Sequence, residues 1–290
     1  MNARGLSAII TIAKYFDEGE LLRIMNSTNG IITVFAGSAS RPFAQKMCDY
    51  LGVELGKSTT HIFSEGGIYV RADESIRNKD VYIVQSIGKD PNNAFTELIF
   101  WIDAFKRASA NSITAIIPYF GYAKADKKDE PRVSIRARVC ADCIEMCGAD
   151  RVVTMDLHAA QVQGFFSKPV DHLYASALLC EYARHLGIVN ENLVVVSPDA
   201  GSAKRARAYA NILGCNVAIG DKVRIGHDEN PNALEIIGDV KGKTCMVVDD
   251  FTISGNTLCK VAYGLMDKGA KEIYAFLSHA IVKEDAVKRI

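Results

Sequence analysis

The sequence predicts an α/β protein built as two doubly wound, parallel-sheet domains. Three observations lead there. Short β-branched runs alternate with longer amphipathic segments along most of the chain, the pattern of strands crossed over by helices. The runs are apolar throughout rather than at every second position, as strands covered on both faces require. A chain of 290 residues, 49% hydrophobic, has enough apolar side chain for two such layers. The strand-like runs are 31–35, 81–85, 113–118, 152–155, 194–197, 245–248 and 273–277, and the helix-like stretches are 41–51, 93–109, 134–147, 175–187, 201–213 and 256–268. Residues 1–30 read as an N-terminal extension closing in the turn-like Asn26-Ser27-Thr28-Asn29-Gly30. A first α/β domain then spans 31–172 and a second spans 173–290, with the boundary near Pro169 and Asp171. Segments 119–132 and 221–232, rich in charge, Gly and Pro, are long for connectors and read as lids or binding loops.

Composition narrows the function classes. Lys and Arg number 34 and Asp and Glu 34, so no global field favours nucleic acid or an anionic membrane surface. Anion binding must be local. No apolar run approaches the roughly 20 residues of a membrane helix, and residues 6–13 are as short as a signal-peptide core can be. The eight cysteines, scattered among apolar segments, read as reduced thiols of a cytoplasmic protein. Cys140, Cys143 and Cys147 have a spacing open to zinc, but it is also one face of a helix with no fourth ligand near. Trp101 and Phe105, one helical turn apart, read as core.

In such folds ligands sit beyond the carboxyl ends of the strands, and three strand ends carry chemistry. The first is Val247-Val248-Asp249-Asp250-Phe251-Thr252-Ile253-Ser254-Gly255-Asn256-Thr257. An apolar strand ends in two acids, and a small polar loop opens a helix whose first amides, with the Ser254 and Thr257 hydroxyls, can cradle a phosphate. Carboxylates repel a phosphate but accept hydrogen bonds from sugar hydroxyls, so the segment suits a phosphorylated ribose. The second is Asp156-Leu157-His158, two polar residues that share a face if the chain stays extended. Its histidine suits a divalent ion or a phosphate oxygen. The third is Ser197-Pro198-Asp199-Ala200-Gly201, in which Asp199 is either a helix N-cap or a carboxylate on a magnesium-bound substrate. Lys124, Lys127 and Lys128 in the first loop, and Lys222 and Arg224 in the second, are placed to close over a polyphosphate. Asp126, Asp129 and Glu130 interleave with the first set, so that run also reads as a solvated surface.

Taken in order, Phe35-Ala36-Gly37-Ser38, the 80–86 strand, Asp126-Lys127-Lys128-Asp129, Met155-Asp156-Leu157-His158-Ala159, Gln163-Gly164-Phe165-Phe166, Val196-Ser197-Pro198-Asp199-Ala200-Gly201 and Val248-Asp249-Asp250 resemble the ribose-phosphate pyrophosphokinases. The resemblance implies phosphoribosyltransferase-like domains and transfer of the β,γ-diphosphoryl group of Mg-ATP to the C1 hydroxyl of ribose 5-phosphate, giving phosphoribosyl pyrophosphate and AMP. It implies that His158 and Asp199 hold Mg2+ and substrate, that Asp249 and Asp250 bind ribose hydroxyls, and that Ser254, Gly255, Asn256 and Thr257 hold the 5-phosphate. Lys222 and Arg224 would steady the transferring group, with His158 as a third catalytic residue. ATP would meet Phe63, Glu65, Lys124, Asp129 and His158, with adenine stacked on Phe63 across a subunit boundary of a homo-oligomer, a dimer or hexamer. The chain departs from the family pattern at Glu65-Gly66-Gly67, where Asn-Gln-Glu is usual, and at Lys124-Ala125, where Arg-Gln is usual. Ile253 stands where an acid is usual, Gly255-Asn256 shifts a glycine by one, and the C-terminus stops where a further strand and helix are expected. Two alternatives follow from these departures. One is the same chemistry on a 5-substituted ribose phosphate such as ADP-ribose, and the other is a weakly active regulatory homologue.

Overall fold

A computed structural model describes residues 32–222, 234–282 and 284–289, which divide into two compact units between Leu173 and Tyr174. The expected 1–30 extension and Arg224 lie outside the described residues.

The first unit contains a parallel sheet of five strands: β1 (Ile32–Ala36), β4 (Asp80–Val84), β5 (Ser112–Ile117), β6 (Arg151–Met155) and β7 (Val170–Leu173), side by side in that order. Helix α1 (Arg41–Leu51) covers one face, packing Ala44 and Cys48 on Val34, Ala36 and Val84. Helices α2 (Pro91–Arg107) and α3 (Arg136–Cys147) cover the other, where Trp101, Ile102 and Phe105 meet Phe35, Val81 and Ile83. Asp90 caps α2 by accepting the Asn93 N–H, and Pro91 follows at the position where its missing N–H costs nothing. Cys140 is turned into this core, and burial pushes its thiol up to about 12, so it is a packing residue. Among the described residues no three His, Cys, Asp or Glu side chains are grouped to hold a metal.

Between α1 and β4 the chain crosses the open edge of β1. Leu55 bridges Val34 in parallel, and Gly56 donates to the Val34 carbonyl at 2.7 Å. A Cβ at Gly56 would stand 2.6 Å from the Phe35 ring, so only glycine passes there. The chain then forms an antiparallel hairpin, β2 (Ser58–Ile62) and β3 (Ile68–Ala72), laid with Val70 and Ala72 against the α2 side of the core. The sequence reading contains no such hairpin, because both strands are half exposed and β2 reads Ser-Thr-Thr-His-Ile.

The second unit is a five-stranded sheet in the order β10 (Leu234–Ile237), β9 (Asn216–Lys222), β8 (Leu193–Ser197), β11 (Thr244–Thr252) and β12 (Glu272–Ala280). Only β10 is antiparallel, paired with β9. Helices α4 (Ser176–His185), α5 (Ala203–Leu213), α6 (Asn256–Asp267) and α7 (Glu284–Arg289) complete it. Strand order runs outward from β8 to β9 on one side and to β11 on the other, so the topological switch point lies between β8 and β11. Two expectations are corrected here. Asp221 and Lys222 belong to β9, where Lys222 pairs with Leu234, and do not open a loop. The strand expected at 245–248 runs from Thr244 to Thr252, so Asp249 and Asp250 lie within it.

In the first unit one buried carboxylate ties several elements together. Glu97 on α2 is 2% exposed, and its oxygens accept from the Ser38 N–H (2.9 Å), the Ser38 hydroxyl, Gln85 Nε2 (2.9 Å), Trp101 Nε1 (3.3 Å) and the Thr60 hydroxyl (3.4 Å). It joins the β1–α1 turn, the end of β4 and the hairpin. Glu97→Ala strands these donors and should cost about 2–4 kcal/mol. A loss under about 1 kcal/mol in urea unfolding of the variant would show that the carboxylate is dispensable.

Candidate active site

The switch point of the second unit collects the acids. Strand β8 is wholly buried and stops at Ser197, while β11 pairs with it only through Val247 and then runs on along β12, Asp249 opposite Leu277. Asp249 and Asp250 are therefore carried past the end of β8, beside the loop that follows it. There Asp199 is extended, φ −155°, and accepts the Ser202 N–H at 2.9 Å, capping the short turn Ala200–Ser202. Helix α5 begins at Ala203 and directs Arg205 back across the gap. Arg205 Nη1 lies 3.2 Å from Asp249 Oδ1 and 3.3 Å from Asp250 Oδ1, and the Ser202 hydroxyl reaches Asp249 Oδ1 at 3.4 Å. Asp249 Oδ1 also accepts the Asp250 N–H at 3.0 Å. This curl lets one guanidinium nitrogen reach two residues that an ideal strand would face to opposite sides.

Burial, then the hydrogen bond and like charge of Asp250, raise the Asp249 carboxyl to about 7 against the opposing pull of Arg205. The sequence reading missed Arg205. Its signal was present in retrospect, since Ser202 and Arg205 stand at i and i+3 on the first turn after the Asp199 loop.

Beyond Thr252 the chain turns through Ile253, Ser254 and Gly255 into α6. The Gly255 N–H reaches the Thr252 hydroxyl at 3.3 Å and the Asn256 N–H the Ser254 hydroxyl at 3.4 Å. Gly255 has φ +72°, and Asn256 is the first helical residue. The shifted glycine thus stands at the left-handed position itself. The first-turn amides of α6 have no partner within the helix and face the loop. Ile253 is exposed, at 45%.

In the first unit the other predicted residues fall into two groups. Phe63 closes the β2–β3 hairpin, its N–H bonded to the Gly67 carbonyl at 2.9 Å, and the residue is 46% exposed. His61 stands edge-on at 4.9 Å between ring centres and Tyr69 at 6.3 Å. Glu65 folds back over Gly67, where a Cβ would lie 3.3 Å from its Oε1 and 3.7 Å from the Phe63 ring. The second group follows β5 and β6. Segment 119–132, read as a lid or binding loop, is anchored at several points: Phe120 and Ala123 are buried, and Asp126 accepts from Gln161 Nε2 at 2.7 Å. Lys124 and Asp129 are exposed. Asp156 takes φ +41° and is buried, whereas His158 is exposed. The extended run that would align their side chains ends at Asp156, so they share no face. His172 on β7 braces this turn, its Nε2 accepting the Leu157 N–H at 2.9 Å.

Magnesium takes one or two carboxylates and completes its shell with water and phosphate oxygens. A single capping carboxylate such as Asp199, without a protein cage among the described residues, fits an ion that arrives on a polyphosphate.

Residues 32–148 match the family model of the N-terminal domain of ribose phosphate pyrophosphokinase, and residues 175–285 match that of the phosphoribosyl transferase domain. Ribose-phosphate pyrophosphokinase 2, chloroplastic, of Arabidopsis thaliana is 42% identical over 97% of this chain and 70% of its own length. The ribose-phosphate pyrophosphokinase of Porphyromonas gingivalis is 45% identical over 92% of this chain and 84% of its own. The crystal structure of phosphoribosylpyrophosphate synthetase from Mycobacterium smegmatis superposes with a TM-score of 0.83 at 39% identity, over 89% of this chain and 84% of that one. The α/β fold with parallel sheets and a phosphoribosyltransferase-type second domain defines a transferase. The chain belongs to the ribose-phosphate pyrophosphokinase family.

The raised Asp249 carboxyl fixes a sign. A folded value near 7 against about 3.8 unfolded means the native state holds the extra proton between them. The associated stability is present below pH 4 and is lost as pH rises through 7. Asp249→Asn should flatten that decline and melt above wild type at pH 8. Parallel Tm curves for the two proteins between pH 4 and 8 would contradict the shift.

Proposed function

We propose that the protein transfers the β,γ-diphosphoryl group of Mg-ATP to the C1 hydroxyl of ribose 5-phosphate. The observation that carries the reading is the switch point, where an acid pair, a capped Asp199 loop and a helix N-terminus meet at the ends of adjacent strands. In the reaction the C1 oxygen attacks the β-phosphorus, the bond from that phosphorus to the α,β-bridging oxygen breaks, and AMP leaves with the bridge. The hydroxyl proton passes to solvent. We assign the ribose hydroxyls to Asp249 and Asp250, and the 5-phosphate to Ser254, Gly255, Asn256 and Thr257. Asp199 and His158 are the groups we assign to magnesium, which neutralises polyphosphate charge when bound. Lys222 and Arg224 steady the migrating diphosphoryl group. Adenine is assigned to Phe63, with the Glu65 carboxylate beside the ring as an acceptor for its amino group, and ATP phosphates to Lys124, with Asp129 nearby in the chain. The exposed hairpin tip suits a contact with a second copy of the chain, as expected of a homo-oligomer. Eight free cysteines suit a reducing compartment such as the cytoplasm. Among the described residues no helix is long and apolar enough to cross a membrane.

A second acceptor class is favoured by one feature. Ile253 presents an exposed apolar side chain at the phosphate loop, where a 5-substituted ribose such as ADP-ribose would extend. AMP release from Mg-ATP, measured with ribose 5-phosphate, with ADP-ribose and with no acceptor, separates these readings. Release that depends on ribose 5-phosphate is the expected result. Dependence on ADP-ribose alone transfers the same chemistry to the other acceptor, and no release in any arm overturns the proposal in favour of a regulatory homologue.

Two variants test the assigned roles. Lys222→Ala should lower kcat by about 100-fold or more with small changes in KM, because a cation beside developing charge acts in the transition state. Asp249→Asn should raise the KM for the sugar by about tenfold and leave that for ATP unchanged. An effect of the lysine change on KM alone, or an unaltered sugar KM in the second variant, contradicts the corresponding assignment.

A further inference from the structure

Helix α7 follows β12 at the same end of the sheet as the phosphate loop. Strand β12 ends beside β11, with the Ile281 N–H on the Thr252 carbonyl at 3.0 Å, and the chain then turns so that Ala286 is buried and Arg289 faces the start of α6. Arg289 Nη1 donates to the Ser254 carbonyl at 2.9 Å and to Asn256 Oδ1 at 2.6 Å. Its own carbonyl accepts from Cys259 Sγ at 3.5 Å, one turn further along α6. The two acceptors of the guanidinium are the residues on either side of Gly255, whose φ of +72° turns the loop into the helix.

Glycine adopts positive and negative φ with nearly equal ease, so nothing intrinsic to Gly255 holds this conformation. A cation bridging its two neighbours does hold it. Hydrogen bonds from a charged donor are about twice as strong as neutral ones. They also add positive charge where the α6 amides already favour an anion. The fork has five N–H donors, and these bonds use Nη1 alone.

We infer that Arg289 is a positioning residue for the sugar-phosphate loop: it clamps Ser254 and Asn256 around Gly255 in the shape that receives the 5-phosphate. This inference rests on the assignment of that loop proposed above. The substrate class it concerns is a ribose carrying a 5-phosphate, and the nucleotide subsite should be indifferent to it.

The full chain, Arg289→Ala and Arg289→Lys are compared by two measurements. Hydrogen exchange of the amides of 253–257, without ligand, should quicken about tenfold in the alanine variant and return most of the way in the lysine variant. The KM for ribose 5-phosphate should rise about tenfold in Arg289→Ala with the KM for ATP within about twofold of wild type. Unchanged exchange overturns the clamp whatever the kinetics, and an equal rise in both KM values overturns its specificity for the sugar. If wild type does not turn over ribose 5-phosphate, the proposed reaction fails, and the exchange measurement still decides the clamp.

Discussion

One guanidinium makes the second sheet's arrangement tolerable. Asp249 and Asp250 stand side by side, the second 2% exposed, on a strand flanked by parallel neighbours along its apolar length. Two buried carboxylates cannot both ionise cheaply. Arg205 Nη1 lies within 3.3 Å of an oxygen of each, and truncating one partner of such a buried set leaves charge uncompensated. Because Arg205 belongs to the first turn of α5, the same contact fixes where α5 begins, and with it the Ser202 and Asp199 turn. The acids, the capped loop and the helix start are one electrostatic unit. The first domain handles its buried acid differently. Glu97 is surrounded by N–H and O–H donors from three directions, and what it orders is backbone: the β1–α1 turn and, through Thr60, the hairpin.

Periodicity made part of this legible. The α1 stretch matches its helix residue for residue, and the apolar runs at 113–118 and 194–197 fall on β5 and β8 within a residue. The two strands are largely buried on both faces, so composition alone marks them, while α1 is marked by its periodic apolar stripe. The hairpin, β7, β9 and β10 were not legible because they lie at edges or half in solvent, where polar and apolar residues mix and no single period dominates. The acid pair was visible as a motif, but its counter-ion was not. A salt bridge across 44 residues leaves no spacing between its partners to read; the one local cue, Arg205 three residues after Ser202, is masked because a helix beginning Ala-Lys-Arg-Ala-Arg reads as a solvated face. Asp156 failed for a local reason: the shared-face argument assumes extended backbone, and φ +41° ends it.

The departures from the family pattern also acquire physical content. The glycine displaced by one position is the residue that turns left-handed into α6, and its neighbour Asn256 accepts from Arg289. At the hairpin tip, Gly67 has no side chain, and the carboxylate that lies over it comes from Glu65. An acid two residues earlier reaches nearly the space that a side chain at 67 would fill.

A formal net charge of zero conceals a segregation of sign that a sugar phosphate requires. Its hydroxyls need acceptors and its phosphate needs donors, on one small molecule. Under the proposed assignment, β11 would separate the two by its length. With a rise of about 3.3 Å per residue, Asp249 and Thr252 are separated by roughly 10 Å, so that under the proposed assignment the α6 amides and Arg289 would act on the phosphate while Arg205 partly neutralises the acids behind them. Had β11 stopped with β8, acids and amides would share one loop, and each would weaken the other's ligand. The four residues by which β11 continues beyond Val248 are what keep the two chemistries apart.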